Sequence, residues 1–134
     1  MQKLNLDCVV FHGRKPLEEM PRYYAMADAM LVTLTANQFI SLTLPGKVQS
    51  YMAAGKPIIA AANGEIQHII ADSGCGYCAA AEDAQGLADA IRETAADSAR
   101  RAEYGENARR YYKEHFRKER FFETLEAVLQ ENCV

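Results

Sequence analysis

From Leu44 to Pro57 the chain reads Leu-Pro-Gly-Lys-Val-Gln-Ser-Tyr-Met-Ala-Ala-Gly-Lys-Pro, a short helix with both its ends written into the sequence. Pro45-Gly46 breaks the preceding chain. Gly55 followed by Pro57 is the expected stop, a glycine for the left-handed cap and a proline that cannot continue the helix. Val48, Tyr51 and Met52 share one face at i, i+3, i+4 spacing, and Lys47, Ser50 and Ala54 share another. On either side lie short apolar runs, 29–34 and 57–62, each suited to a strand buried on both faces. A helix this short between two such strands constrains the chain to a parallel, crossover-connected sheet.

The remainder extends that pattern. Cys8 to His12 reads as a first buried strand closed by Gly13, and Leu17 to Ala27 as a helix in which Pro21 fits only the first turn. The stretch 35–45 is a long loop, a kind that is usually functional. Asn63-Gly64 is a turn, Glu65 to Asp72 a short helix with Ile66, Ile69 and Ile70 inward, and Tyr77 to Ala80 a fourth, weak strand. From Asp83 the periodicity is helical. Asp83 caps a helix carrying Leu87, Ile91 and Ala95, Ser98 caps a second running to about His115, and a third holds Phe122, Leu125 and Leu129 on one stripe. The expectation is one α/β domain over residues 1–134: a Rossmann-like, mostly parallel sheet of about four strands with flanking helices and a helical C-terminus.

Composition excludes several functions. The 134 residues are 49% hydrophobic and 25% charged with a formal net charge of −3, which argues against a nucleic-acid binder. No apolar run approaches the roughly 18 residues of a membrane span, and the polar start lacks a signal-peptide core, so a cytoplasmic protein is expected. The four cysteines, Cys8, Cys75, Cys78 and Cys133, are then expected as reduced thiols. The Cys75-x-x-Cys78 pair has no second pair or suitably spaced histidine and reads as packing beside a strand. Residues 98–120 hold eight of the fifteen Lys and Arg against four acids, interleaved with Tyr104, Tyr111, Tyr112 and Phe116. That stretch is either a solvated helical face or one that meets an anionic partner or the inner face of a membrane.

In sheets of this kind ligands bind beyond the carboxyl ends of the strands. Three turns qualify: Gly13-Arg14, the 35–47 segment, and Asn63-Gly64-Glu65. Gly46 at a helix start lets the backbone approach an anion, and Lys47 adds a charge. The alternative is a plain turn with a solvated lysine. Glu65 could bind a polar ligand group or simply stabilise the helix dipole. Lys56 reads as a surface lysine, and His12, His68 and His115 have no readable acid–base partner. No catalytic triad, carboxylate pair or metal cluster stands out, so neither catalytic residue nor metal is assigned.

The succession Glu19-Met20-Pro21-x-Tyr23-Tyr24-x-x-Ala27-Asp28, then Leu44-Pro45-Gly46-Lys47-x-Gln49-x-Tyr51-Met52-Ala53-Ala54-Gly55-Lys56-Pro57-Ile58-Ile59-Ala60, then Asn63-Gly64-Glu65, resembles the C-terminal, donor-binding domain of GT-B glycosyltransferases of family 4. The similarity is greatest to bacterial enzymes of capsular and O-antigen synthesis. It implies retaining sugar transfer from a nucleotide-diphosphate sugar, expected as a UDP-sugar, without a bound metal or other cofactor. Carried over by position, Gly13 and Arg14 would lie near the base. The Pro45-Gly46-Lys47 segment would form the diphosphate site, Ser50 would face the ribose, and Glu65 would stand near the crevice. Many relatives have acids where this chain has Leu42 and Ser50.

The resemblance also implies that two strand–helix units and an N-terminal acceptor domain are absent from this chain. It would then be inactive alone and need that domain, or a separate partner chain, to complete its cleft. Unpaired sheet edges would follow, so the first strand should either move to pair with the second or leave a gap for a second copy of the chain. The rival assignments are a non-catalytic nucleotide-binding or assembly module, and a fragment of a nucleotide-sugar epimerase.

Overall fold

A computed structural model describes residue 6 and residues 8–132. After a short 3-10 turn, Leu17–Glu19, the elements in chain order are α1 (Met20–Met26), β1 (Met30–Thr33), α2 (Gln38–Ser41), α3 (Gly46–Ala53), β2 (Ile58–Ala61), α4 (Glu65–Ser73), β3 (Gly76–Ala79), α5 (Ala84–Ala96), α6 (Ser98–His115) and α7 (Lys118–Asn132). The sheet is parallel in the order β1-β2-β3, with Val32 opposite Ala60 and Ala60 opposite Cys78.

The predicted helix between two strands forms as read. Its C-terminus is a complete Schellman cap: the Gly55 N–H donates to the Met52 carbonyl at 2.9 Å, the Lys56 N–H to that of Tyr51 at 3.3 Å, and Gly55 has φ 67°. Val48 and Met52 are fully buried on the inward face. With Val32, Ile58, Ala60, Ile66, Ile70, Cys75 and Ala108 they form one continuous core between the sheet and α3, α4 and α6. Helix α5 covers the other face of β2 and β3, where Ile59, Ala61, Ala79 and Ala90 are buried. Strand β2 is therefore buried at all four positions, whereas β1 alternates because α5 does not extend over it and Leu31 stays half exposed.

Three expectations are corrected. The described residues hold three strands, not about four, because Cys8–His12 is not a strand; Val10 and Phe11 are 70% and 71% exposed. An apolar run becomes a strand only where another backbone accepts its hydrogen bonds, and this run has no such neighbour. The suggested shift onto β1 therefore does not occur. The cap of α6 is Asp97, whose carboxylate accepts the Arg100 N–H at 2.9 Å, rather than the neighbouring Ser98. The Phe122–Leu125–Leu129 stripe is present on α7 as expected; no described residue covers it and all three side chains are exposed.

Other details agree with the sequence. Pro21 falls in the first turn of α1, and Asp83 caps α5 by accepting the Gly86 N–H at 2.9 Å. Cys75 is buried and Cys78 half-buried, both as free thiols whose burial pushes their pKa up; Cys133 and, apart from Leu6, the polar start lie outside the described residues. Burial, with Tyr24 nearby, likewise raises the Tyr51 phenol.

Two outcomes follow. Met52→Ala should lower stability by about 2–5 kcal/mol in denaturant titrations, the cost of a lost side chain plus the cavity left behind. A raised pKa on an acid means that the unfolded chain releases its protons first. Stability should thus fall as pH climbs through the ordinary thiol and phenol values of 9.0 and 10.0, giving a lower denaturation midpoint at roughly pH 10 than at pH 8.

Candidate functional site

Both crossover helices, α3 and α4, begin at the carboxyl end of the sheet, and the turns there are tied together. The Asn37 side chain caps α2 by accepting the N–H groups of Phe39 and Ile40 at 2.8 and 3.3 Å, which folds the long loop into a compact turn of helix. That loop reaches the turn after β2: Gly64 has φ 75°, and a Cβ there would run into the Ser41 carbonyl oxygen. Asn63 accepts the Ala81 N–H at 3.0 Å, and Glu82 accepts the Ala36 N–H at 3.2 Å. Glu82 does so from a left-handed conformation, φ 68°, a position unusual for a side chain other than glycine or asparagine. Three successive strand-end turns thus form one ledge.

Helix α3 opens on this ledge. Its cap residue is Pro45, which offers no side-chain acceptor, so the first N–H groups, those of Gly46 and Lys47, have no partner among the described residues. Gly46 does not have a positive φ, and a Cβ on it would meet nothing within 4 Å. Nothing in the fold requires glycine at this position. The site is open to a close-approaching ligand, with two main-chain donors, the positive end of the helix dipole and the Lys47 ammonium beside it. Glu65 occupies the first turn of α4, next to Gly64, and is exposed.

Of the predicted site residues, Pro45, Gly46, Lys47 and Glu65 belong to this ledge. Ser50 stands one turn on from Gly46; its hydroxyl donates back to the Gly46 carbonyl at 3.3 Å. Together they line a cavity of about 520 Å³ on the outer side of α3, walled by Pro21, Tyr24, Tyr112 and Phe116. Gln49, Ala53 and Ala54 line it too, but Lys47 does not, so the polar face read from the sequence is divided between two surfaces. The aromatic wall was visible only as part of the basic stretch, since nothing local says that α6 returns to α3.

Gly13 and Arg14 are not brought to the ledge. Without the first strand, Arg14 lies in a separate depression lined only by residues 14–17 and Met20, and His12 packs on Tyr23 with ring centroids 5.6 Å apart. His115 stacks on Tyr111 at 4.1 Å. No cluster of metal-ligating side chains occurs among the described residues.

Comparison with known proteins gives these elements a setting. Residues 1–111 match the family model described as glycosyl transferases group 1. The amylovoran biosynthesis glycosyltransferase AmsK of Erwinia amylovora is 36% identical over 83 residues, which is 61% of this chain but only 20% of the relative. No solved structure matches the chain. A family model that spans the ledge, both crossover helices and most of α6 identifies the chain as a member of the group 1 glycosyltransferases.

Proposed function

We propose that the chain is the donor-binding part of a retaining glycosyltransferase that takes a nucleotide-diphosphate sugar, a UDP-sugar in the simplest case, and serves polysaccharide synthesis of the capsule or O-antigen kind. The observation that carries this reading is the unpartnered start of α3: Gly46 with open space at its Cα, free N–H donors and Lys47, at the carboxyl end of a parallel sheet. A diphosphate suits such a place because its charge meets the helix dipole and its oxygens accept main-chain N–H groups. Family membership and the relation to an enzyme of amylovoran biosynthesis support the substrate class. In this reading Glu65, at the adjoining helix start, takes a hydroxyl of the donor, and Ser50 faces the ribose.

In this reading the chain alone does not transfer sugar, because the ledge is one wall of a cleft. The outer edge of β1 supports a missing neighbour: Met30 and Leu34 bond inward to Pro57 and Ala61, so the alternating N–H groups of Leu31 and Thr33 face outward. A further strand, from an N-terminal part of the parent protein, a partner chain or a second copy, would complete the sheet there.

Titrating UDP and UDP-sugars into the chain by calorimetry and amide NMR tests the proposal. Shifts should centre on Gly46, Lys47 and Glu65, and Lys47→Ala should weaken binding by about 1.5–3 kcal/mol, the range of a charge-assisted hydrogen bond. Unchanged affinity would return Lys47 to the solvated surface, and the absence of any nucleotide binding would favour a purely structural or assembly module.

A further inference from the structure

The opposite end of the sheet carries a second concentration of charge. Beside the amino ends of β1 and β2, where Asp28 and Pro57 lead into the strands, lies a cavity of about 600 Å³ lined by Lys56, Arg101, Arg109, Arg110 and Lys113. Gly105 of α6 seats the helix on the α3–β2 turn, since a Cβ there would come within 2.6 Å of the Gly55 carbonyl oxygen. Gly55 and Gly105 keep the floor of the cavity free of side chains.

Three of the cations are held in place by main-chain carbonyls at helix ends. Lys56 Nζ donates to Ala25 at 3.1 Å, Arg109 Nη2 to Ala54 at 3.2 Å, and Arg101 Nη1 to Thr94 and Ala95 at 2.8 and 2.6 Å. Helix capping accounts for those bonds. It does not account for Arg110 and Lys113, which make no hydrogen bond or ion pair with any described residue. Two carboxylates, Asp28 and Glu106, share the wall, and no ion pair joins either to the five cations. The bonds also leave each anchored cation with further N–H donors, because a guanidinium has five and an ammonium three. Three of the five cations are thus anchored and the cluster is only partly neutralised, in a chain whose formal net charge is −3.

We propose that this cavity binds a compact phosphate-bearing anion with at least two negative charges, a phosphomonoester or a diphosphate, separately from the donor ledge at the other end of the sheet. Arginine forks match phosphate oxygens in pairs, and anchoring by carbonyls removes much of the side-chain entropy that binding would otherwise cost. The anion is either a soluble phosphate compound or a lipid headgroup that ends in a phosphomonoester, which present the same chemistry to the cavity.

Inorganic pyrophosphate titrated into the isotope-labelled chain separates the two ends of the sheet by residue. The amides of Gly55, Lys56, Gly105 and Arg109 should shift, whatever happens at Gly46 and Lys47. The double reversal Arg110→Glu with Lys113→Glu, at exposed positions whose folding is checked by melting, should weaken that set of shifts by about tenfold or more. The control reversal Arg92→Glu with Arg120→Glu makes the same change of net charge elsewhere and should leave it in place. Absence of shifts around the cavity, undiminished affinity in the first variant, or equal loss in both variants would overturn the site. Co-sedimentation with phosphatidic acid-containing but not pure phosphatidylcholine vesicles, lost in the Arg110/Lys113 variant, would identify the headgroup as the ligand. Pyrophosphate binding without sedimentation would identify a soluble phosphate, and sedimentation that survives the reversal would overturn the headgroup.

Discussion

The close approach of two glycines, Gly55 in the α3–β2 turn and Gly105 on α6, holds the layers of this domain in register. Gly55 must be left-handed to end α3, and Gly105 must lack a side chain for α6 to lie on the Gly55 carbonyl. From that contact α6 reaches α3 and contributes Ala108 to the core, while Arg109 extends over Gly55 to the last carbonyl of the α3 cap. The angle at which α3 leaves the sheet is set at this end. The position of Gly46 and Lys47 at the other end depends on it, because α3 is only eight residues long and packed through Val48 and Met52.

Much of this was legible in the sequence because it is local. The Gly55–Pro57 stop, the Val48–Met52 face, the first-turn place of Pro21 and the Asp83 cap each follow from residues within a few positions of one another, and each is present. The Asp97 cap was missed by one residue since Asp97 and Ser98 are both capable acceptors, and only the backbone at 97, extended with φ −115°, decides between them. What the sequence did not carry was long-range. Nothing near Gly64 announces Ser41, nothing near Glu82 announces Ala36, and the distribution of the α3 polar face between ledge and outer cavity depends on where Tyr112 and Phe116 return.

Cys8–His12 shows the same limit from the other side. Its apolar, β-branched run satisfies every local criterion for a buried strand, yet the decisive partner is a neighbouring backbone, and β1 offers its outer edge without being paired by it. Gly13 and Arg14 were assigned to the crevice through that strand and through the family resemblance, and without the strand the structure does not bring them to the ledge. The exposed stripe of Phe122, Leu125 and Leu129 is a comparable case: helical periodicity establishes that the face is apolar but not what it meets.

These open surfaces bear on how the ledge works. A helix N-terminus in free solvent binds an anion weakly, because water competes for the N–H groups and screens both the dipole and the lysine. The same groups become strong when a second wall excludes water. Gly46 and Lys47 are exposed, β1 has an unpaired edge, and the matched portion spans a fifth of the related enzyme. If the proposed diphosphate binds there, an isolated ledge of this kind can orient it, while the lower dielectric needed to hold it tightly would have to come from a second wall over the carboxyl ends of the strands. The amino-end cavity differs in this respect: three of its five cations are already anchored around it by main-chain carbonyls, so less of their ordering is left to a ligand or a second wall.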